Sequence, residues 1–80
     1  MARVRLLYFA SLREAAGRDG EAVDSAAADL AGLYAAAAAR HGLQWPRERL
    51  RVAVDGGFAQ WGDALRDDSE VAFIPPVSGG

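Results

Sequence analysis

The sequence predicts an α+β fold in which one main helix covers a small mixed sheet of about five strands. The chain of 80 residues is long enough for one domain with a modest core. One segment has the periodicity of a long amphipathic helix, and short strand-like segments stand before and after it. These strands must therefore share one sheet, which the helix covers on one face.

The first part of the chain predicts two strands separated by a helical turn. Residues 3–9 alternate between two faces of a strand, and the core-facing residues are Val4, Leu6 and Tyr8. Residues 11–16 predict a short helical turn that ends at Gly17. Residues 21–24 predict a weak second strand.

The main helix is predicted at residues 28–40. The residues of its core-facing stripe recur at helical spacing: Leu30, Leu33, Tyr34, Ala37 and His41. Gly42 provides the C-terminal stop, and Asp29 suits the dipole at the N-terminus. Gly32 inside the helix costs about 1 kcal/mol relative to alanine, so packing has to hold the helix in place. His41 is expected to be a partly exposed residue at the helix end.

The remainder of the chain predicts three more strands, at residues 50–54, 58–61 and 71–74. Asp55-Gly56, between the first two, is a strong signal for a tight hairpin turn. The polar turn at residues 63–69 contains an acidic run that is expected to be solvated. Trp45 and Trp61 are expected to be packing residues.

The order of these elements indicates a β-grasp, or ubiquitin-like, fold. The closing strand most simply lies beside the first strand, because the sheet can then surround this central pair. Residues 1–74 are predicted to form this domain. Residues 75–80 are predicted to form an extended C-terminal tail that ends in Gly-Gly.

The composition excludes several classes of function. A net charge of −2 argues against nucleic acid as a partner. The chain has no cysteine and no lysine, so it has no thiolate metal ligand, no thiol nucleophile and no internal lysine acceptor for an isopeptide bond. No apolar stretch approaches the length of a membrane span, and the N-terminus lacks a signal-peptide layout. We therefore expect a cytoplasmic protein with no membrane partner, no metal and no permanently bound cofactor.

The C-terminal segment predicts a carrier arm. Pro75 and Pro76 hold the chain extended after the last strand, and Gly79 and Gly80 remove every side chain from its end. About seven extended residues reach at most roughly 25 Å, so the Gly80 carboxylate can stand clear of the domain. ATP could activate this carboxylate as an acyl-adenylate, and sulfur could then be held on it as a thiocarboxylate. The alternative is a frayed terminus without function.

Three segments resemble the MoaD/ThiS family of sulfur carriers, in particular the small subunit of molybdopterin synthase. They are residues 4–14, 52–56 and 68–80. In the middle segment an asparagine is more usual in that family than Asp55. The resemblance follows the whole chain in order, and its most specific parts are the opening strand and the tail.

The resemblance implies that an E1-like enzyme uses ATP to adenylate Gly80, which then becomes a thiocarboxylate. The tail would enter the large catalytic subunit of the synthase, within a heterotetramer, and donate sulfur to the cyclic pyranopterin precursor of molybdopterin. The chain would then be no enzyme on its own, since the pocket belongs to its partner. The segment Pro75-Pro76-Val77-Ser78 resembles the spacer of this subfamily.

Strand parity predicts an apolar docking face at the root of the tail. The apolar residues that face away from the helix are Leu7, Phe9, Ala53, Ala72 and Ile74. The surrounding rim is predicted to contain arginines, namely Arg3, Arg5, Arg49 and Arg51. The candidate partner-binding residues are therefore Leu7, Phe9, Ile74, Pro75, Pro76, Val77 and Ser78. In the alternative, residues 11–17 cover Leu7 and Phe9.

Two other functions remain open for a chain of this kind. A carrier with the same fold could supply sulfur to another pathway, such as the synthesis of thiamine, cysteine or thiolated tRNA. A ubiquitin-like modifier would instead form isopeptide bonds with lysines of target proteins. The absence of lysine excludes chains that this protein builds on itself, but not its attachment to other proteins.

Overall fold

The computed structural model describes residues 1–76, which form one sheet and two α-helices. The elements in chain order are β1 (Ala2–Tyr8), α1 (Ala10–Ala16), β2 (Gly20–Ser25), α2 (Leu30–His41), a 3₁₀ helix (Arg47–Arg49), β3 (Arg51–Val54), β4 (Gly57–Ala59) and β5 (Ser69–Ile74). The strands are ordered β2-β1-β5-β3-β4, and α2 packs on one face of this sheet. The predicted β-grasp fold, with one main helix, is therefore confirmed.

The two central strands, β1 and β5, pair in parallel. Tyr8 lies opposite Phe73, so both strands end on the same side of the domain. The remaining pairs, β1–β2, β3–β5 and β3–β4, are antiparallel. Arg51 lies opposite Ile74, so β3 starts where β5 ends. We call this side of the molecule, marked by Tyr8, Arg51 and Ile74, the tail end.

The core lies between the sheet and α2; strand parity predicts its strand members correctly, but Leu12 on α1 was not predicted. The side chains that are most completely buried are Val4, Leu6, Tyr8, Leu12, Leu30, Leu33, Val52, Val71 and Phe73. Trp61 stacks on Phe73 with the ring centroids 6.1 Å apart. Trp45 donates a hydrogen bond from Nε1 to Ser11 Oγ over 2.7 Å. Both tryptophans are packing residues, as predicted.

The helix α2 begins two residues later than predicted because Asp29 caps it. The Asp29 backbone is extended, and its Oδ1 accepts a hydrogen bond from the backbone N–H of Gly32 over 2.9 Å. A Cβ at position 32 would stand 3.2 Å from the Cβ of Ala27. Glycine therefore lets the preceding chain pass close to the first turn. At the other end Gly42 has a φ of 68° and closes the helix as predicted.

The turn between β3 and β4 is the tight turn that the sequence predicts. Asp55 and Gly56 have φ values of 51° and 87°, which a type I′ turn requires. The Asp55 carboxylate also accepts a hydrogen bond from the backbone N–H of Glu70 over 2.9 Å, and so ties the turn to β5. The nearby acidic run is exposed, but it also anchors β1, since Asp67 Oδ1 accepts from the backbone N–H of Arg3 over 2.7 Å.

Candidate functional site

The root of the tail lies where β5 ends. Ile74 is the last strand residue, Pro75 is buried and Pro76 is exposed. Pro76, the last described residue, thus lies at the surface of the domain. The predicted carrier residues Gly79 and Gly80, and the predicted partner-binding residues Val77 and Ser78, lie outside the described residues.

The predicted docking residues come together on the face of the sheet opposite α2. They line a shallow cavity of about 260 Å³ whose walls are Leu7, Phe9, Ala53, Gly56, Phe58, Glu70, Ala72 and Ile74. We call these residues the outer face. Phe9 is 44% exposed and Leu7 is half-buried, so α1 does not cover them. Their role in binding remains a prediction.

The register of the sheet explains why the outer face is concave. Ala72 lies between Leu7 on one neighbouring strand and Ala53 on the other, and Ala53 in turn lies opposite Phe58. Two small side chains therefore form the floor, while Leu7 and Phe58 form the walls. Next to Leu7 stands Gly20, where a Cβ would approach the backbone oxygen of Leu6 to 2.6 Å and Leu7 Cδ2 to 3.2 Å. Glycine at this position leaves room for the Leu7 side chain.

Phe58 is a member of the outer face that the sequence did not predict. Its side chain is 73% exposed, more than that of Phe9. Among the described residues, the large exposed apolar side chains are Met1, Phe9 and Phe58, and two of them lie on this face. Clustered exposed aromatic residues are typical of protein interfaces. The alternation of side chains along β4 could have indicated Phe58, but only if the pairing of β4 with β3 had already been known.

Of the four arginines predicted for the rim, Arg3 and Arg5 lie on β1 but do not line the cavity, and Arg49 is not on the sheet. Arg49 belongs to the 3₁₀ helix rather than to the sheet, and its guanidinium lies 5.7 Å from the centre of the Trp45 ring. Arg51 does stand at the rim, with its guanidinium 5.7 Å from the centre of the Phe58 ring. Glu70 lines the opposite side of the cavity. The outer face thus has a cation at the tail end and a carboxylate away from it.

A cluster of polar side chains lies on the other face of the sheet, around Glu21. Its carboxylate oxygen Oε2 accepts from Tyr8 Oη over 2.6 Å and from Arg40 over 3.0 Å, and it contacts His41 Nε2 at 2.6 Å. Arg18 contacts the other oxygen at 3.3 Å. The cluster joins β1, β2 and the end of α2. His41 was predicted to be partly exposed, and it is more buried than its place at the helix end implies, since only 13% of its side chain is exposed.

The partners of Glu21 stabilise its charged form. Burial alone would raise the pKa of this carboxyl, but hydrogen bonds from Tyr8, His41 and Arg40 outweigh burial and lower the pKa to about 2. Burial, and then the adjacent carboxylate, raise the pKa of the Tyr8 hydroxyl above its ordinary value. Tyr8 therefore stays protonated and donates to a carboxylate that stays ionised. This arrangement fits a structural clamp rather than a proton-transfer site.

Within residues 1–76 no group of three or more His, Cys, Asp or Glu side chains is placed to hold a metal ion. None of the helices within the same range has the length and apolar character needed to cross a membrane. The outer face and the tail root are therefore the strongest candidates for a functional site.

Comparison with known proteins gives a family match over most of the chain. The ThiS family matches residues 6–80. The molybdopterin synthase sulfur carrier subunit of Escherichia coli (strain K12) is 34% identical over 80 aligned residues, which cover 96% of this chain and 99% of the relative. Both matches extend over the outer face and the tail root.

Solved structures with the same fold include two archaeal proteins. SAMP1 from Haloferax volcanii superposes with a TM-score of 0.79 and 27% identity, covering 99% of this chain and all 100% of the other. A Pyrococcus furiosus protein assigned as subunit 1 of the molybdopterin converting factor also gives a TM-score of 0.79, with 26% identity, 96% coverage of this chain and 100% of the other. These similarities support the β-grasp fold along its whole length.

Proposed function

The chain belongs to the ThiS family, and from this premise we propose that it carries sulfur on the carboxyl group of Gly80. The observation that carries the proposal is the extent of the family match, which runs to residue 80 and so includes the Gly-Gly end. A carrier needs a reactive group on a thin extended arm, and glycine is the residue that leaves this end free of side chains. Since the chain has no cysteine, its own sulfur would be held on the Gly80 carboxyl.

The proposed activation takes place on a partner enzyme of the E1-like type. A carboxylate oxygen of Gly80 attacks the α-phosphorus of ATP, and pyrophosphate leaves. Hydrosulfide delivered by a sulfur source then attacks the acyl carbon, the bond from that carbon to the AMP oxygen breaks, AMP leaves, and loss of the proton to water gives the thiocarboxylate. The chain contributes the carboxyl group and its presentation, while the partner contributes the nucleotide pocket. ATP is thus a co-substrate of the partner and not a cofactor of this chain.

We assign the sulfur to molybdopterin synthesis, with this chain as the donor subunit of the synthase. The support is the E. coli relative, a molybdopterin synthase sulfur carrier subunit that aligns over 99% of its length. In this role the tail enters the large catalytic subunit and donates sulfur to the cyclic pyranopterin precursor. The chain is then a sulfur-donating subunit rather than an enzyme on its own, in the heterotetramer that the family resemblance implies.

The outer face is the surface we propose for docking both partners. It includes Ile74, the last residue before the tail, and the exposed rings of Phe9 and Phe58. A partner that covers this face holds the tail root at a fixed distance from its own pocket. The activating enzyme and the large subunit would therefore use the same surface, and they would bind in turn rather than together.

A second candidate function is a protein modifier of the ubiquitin-like type. The observation that favours it is the similarity to SAMP1, named small archaeal modifier protein 1, at 27% identity over the whole of that chain. A modifier would pass its activated carboxyl group to a lysine of a target protein instead of holding sulfur. A carrier for another sulfur pathway would form the same thiocarboxylate on Gly80 and would differ only in the molecule that accepts the sulfur.

Intact-mass measurement separates these candidates. The full chain is incubated with ATP, an E1-like enzyme and a sulfur source. A carrier gains the mass difference between one sulfur and one oxygen atom, and fragmentation places it on Gly80. Attachment to target lysines without that gain would support the modifier and contradict the proposed carrier. Addition of the large subunit and the pyranopterin precursor then tests whether the thiocarboxylate is consumed.

A further inference from the structure

The cation nearest the start of the tail is an arginine. Arg51 is the first residue of β3, and it lies opposite Ile74 in the register of the sheet. Its side chain is exposed on the outer face, where the guanidinium stands 5.7 Å from the centre of the Phe58 ring. Arginine also supplies all nine basic side chains of the chain. The positive charge at the tail root therefore belongs to a guanidinium group and not to an amine.

This choice of cation matters if Gly80 becomes activated, and the following inference rests on the proposed function in that respect. An acyl-adenylate or thioester reacts readily with a primary amine. A lysine amine with a pKa of about 10.4 is partly neutral near pH 8–9 and is then a nucleophile. A guanidinium stays protonated and delocalised in proteins, so it provides charge and hydrogen bonds but no attacking lone pair.

The tail is long enough to bring Gly80 back to position 51. Antiparallel partners such as Arg51 and Ile74 have Cα atoms about 5 Å apart. The six residues after Ile74 can span at most roughly 20 Å, more than is needed to fold back onto a neighbouring strand. Tethered groups of this kind meet at effective concentrations on the order of millimolar. An amine at position 51 would therefore compete with any partner for activated Gly80.

Position 3 lies on the same face but beyond that reach. The carbonyl of Arg3 accepts from the backbone N–H of Asp68, six residues before Ile74 along the chain. At about 3.3 Å per residue this places Arg3 roughly 20 Å from the start of the tail. At Ile74 the chain runs away from position 3, so the six following residues would first have to reverse direction and cannot cover that distance.

Within residues 1–76, the other nucleophiles near the tail end are already engaged. Tyr8 is buried and donates to Glu21, and His41 contacts the same carboxylate. The Ser11 hydroxyl oxygen accepts from Trp45. The α-amino group of Met1 precedes β1 at the opposite end of the sheet, since β1 runs toward the tail end. None of these groups is an amine within reach of the tail.

We propose that Arg51 directs the activated Gly80 carboxyl group to external acceptors, because a guanidinium at this position offers no amine that could react with that group internally. With lysine at this position, the amine nitrogen would form a bond to the Gly80 carbonyl carbon. The bond from that carbon to the AMP oxygen, or to a thiol sulfur, would break, and the amine proton would pass to water. The product is an internal amide that can no longer donate sulfur. Arginine keeps the cation at the tail root and leaves external nucleophiles as the acceptors.

The test uses the full chain with Gly80 as an alkyl thioester, prepared by intein cleavage, without any partner. Wild type, Arg51→Lys and Arg3→Lys are incubated at about pH 9, where part of the lysine is neutral, and followed by intact mass. Arg51→Lys should lose the thioester at least about tenfold faster than Arg3→Lys, because its amine is held near the tail. Its product should be lighter than the hydrolysed acid by one water, with the new amide between residue 51 and Gly80. Wild type and Arg3→Lys should only hydrolyse.

Two results would overturn the inference: an internal amide in the wild type, or equal rates for the two lysine variants in the folded state. The same reaction in denaturant is the control for folding. There the two variants should react at similar rates, because the sheet no longer separates position 3 from the tail. Because the thioester is made chemically, failure here leaves the proposed function intact, and that function is tested on Gly80 itself.

Discussion

At the scale of single residues, Glu21 is the side chain with the most partners. It joins Tyr8, Arg40 and His41 through one carboxylate oxygen, and it is only 12% exposed. Glu21→Gln removes the charge that these donors stabilise and should lower the free energy of unfolding by about 2 kcal/mol, the value of hydrogen bonds to a charged group. Glu14→Gln, at an exposed position on α1, should change it little. Chemical denaturation at neutral pH measures both variants.

The same carboxylate predicts how stability depends on pH. Its pKa falls from 4.5 to about 2 on folding, so its contribution is complete above about pH 4.5. The contribution is lost as the pH falls from 4.5 toward 2, because the unfolded chain binds the proton first. Wild type should therefore lose stability across this window more steeply than Glu21→Gln. Parallel pH profiles of the two proteins would contradict the clamp.

The proposed docking surface carries two exposed rings, Phe9 and Phe58. Phe9→Arg and Phe58→Arg should each weaken binding to the large subunit by at least about tenfold, since buried aromatic anchors contribute about 2 kcal/mol or more at interfaces. Their thermal stability should stay near that of wild type because both rings are exposed. Gln60→Arg, just after β4, is the control and should bind normally. Calorimetry measures the affinities, and unchanged binding of both phenylalanine variants would exclude this face.

At the scale of elements, the turn between β3 and β4 contains Asp55, at the position where an asparagine is more usual in the MoaD/ThiS family. Asp55 adopts a φ of 51°, and its carboxylate accepts from the backbone of Glu70. Asp55→Asn keeps an acceptor and tolerates positive φ, so it should change the free energy of unfolding by no more than a few tenths of a kcal/mol. Asp55→Ala loses the acceptor and should destabilise by about 1–2 kcal/mol. Equal melting temperatures for the two variants would contradict this account of the turn.

Local patterns predicted most of the elements. The stripe from Leu30 to Ala37 fixes the buried side of α2, and the alternation in β1 separates Leu6 from Leu7. These signals arise from periods of 3.6 and 2 residues, which need no knowledge of the remaining chain. Turn chemistry was equally local, as Asp55-Gly56 and Gly42 show.

Long-range pairing could not be read from the sequence. Phe58 joined the outer face only through its position opposite Ala53 in the β3–β4 register. His41 and Glu21 stand 20 positions apart, and their contact depends on where α2 ends above β2. Arg49 was wrongly placed on the sheet because the 3₁₀ helix delays the start of β3 to Arg51. In each case tertiary placement, rather than local preference, decides the environment.

At the scale of the whole molecule, charge is unevenly distributed between the two ends. The tail end carries six of the nine arginines, namely Arg13, Arg18, Arg40, Arg47, Arg49 and Arg51, together with four carboxylates, Glu14, Asp19, Glu21 and Glu48. The opposite end carries most of the carboxylates, at the start of α2 and in the turns before and after β4: Asp29, Asp55, Asp63, Asp67, Asp68 and Glu70. A molecule with this net polarity would be steered tail-first toward a partner whose pocket mouth is acidic.

This polarity predicts steered association with the large subunit. The association rate should fall about tenfold or more as ionic strength is raised from low to high, because salt screens the attraction. The double variant Arg47→Glu and Arg49→Glu should slow association at low salt, and Arg66→Glu, near the opposite end, should not. Stopped-flow measurements over a range of salt give these rates. Faster association of the double variant would show that the partner's surface is basic instead.

The central claim is that the carboxyl group of Gly80 carries the sulfur, and deletion of Gly80 tests it most directly. The deletion variant is compared with wild type in a reconstituted synthase containing the activating enzyme, ATP, a sulfur source, the large subunit and the pyranopterin precursor. Residues 1–76 are unchanged, so the variant should unfold at the wild-type temperature. We predict that it forms no molybdopterin, because the carboxyl group ends one residue short of the partner's pocket. Full activity without Gly80 would contradict the account.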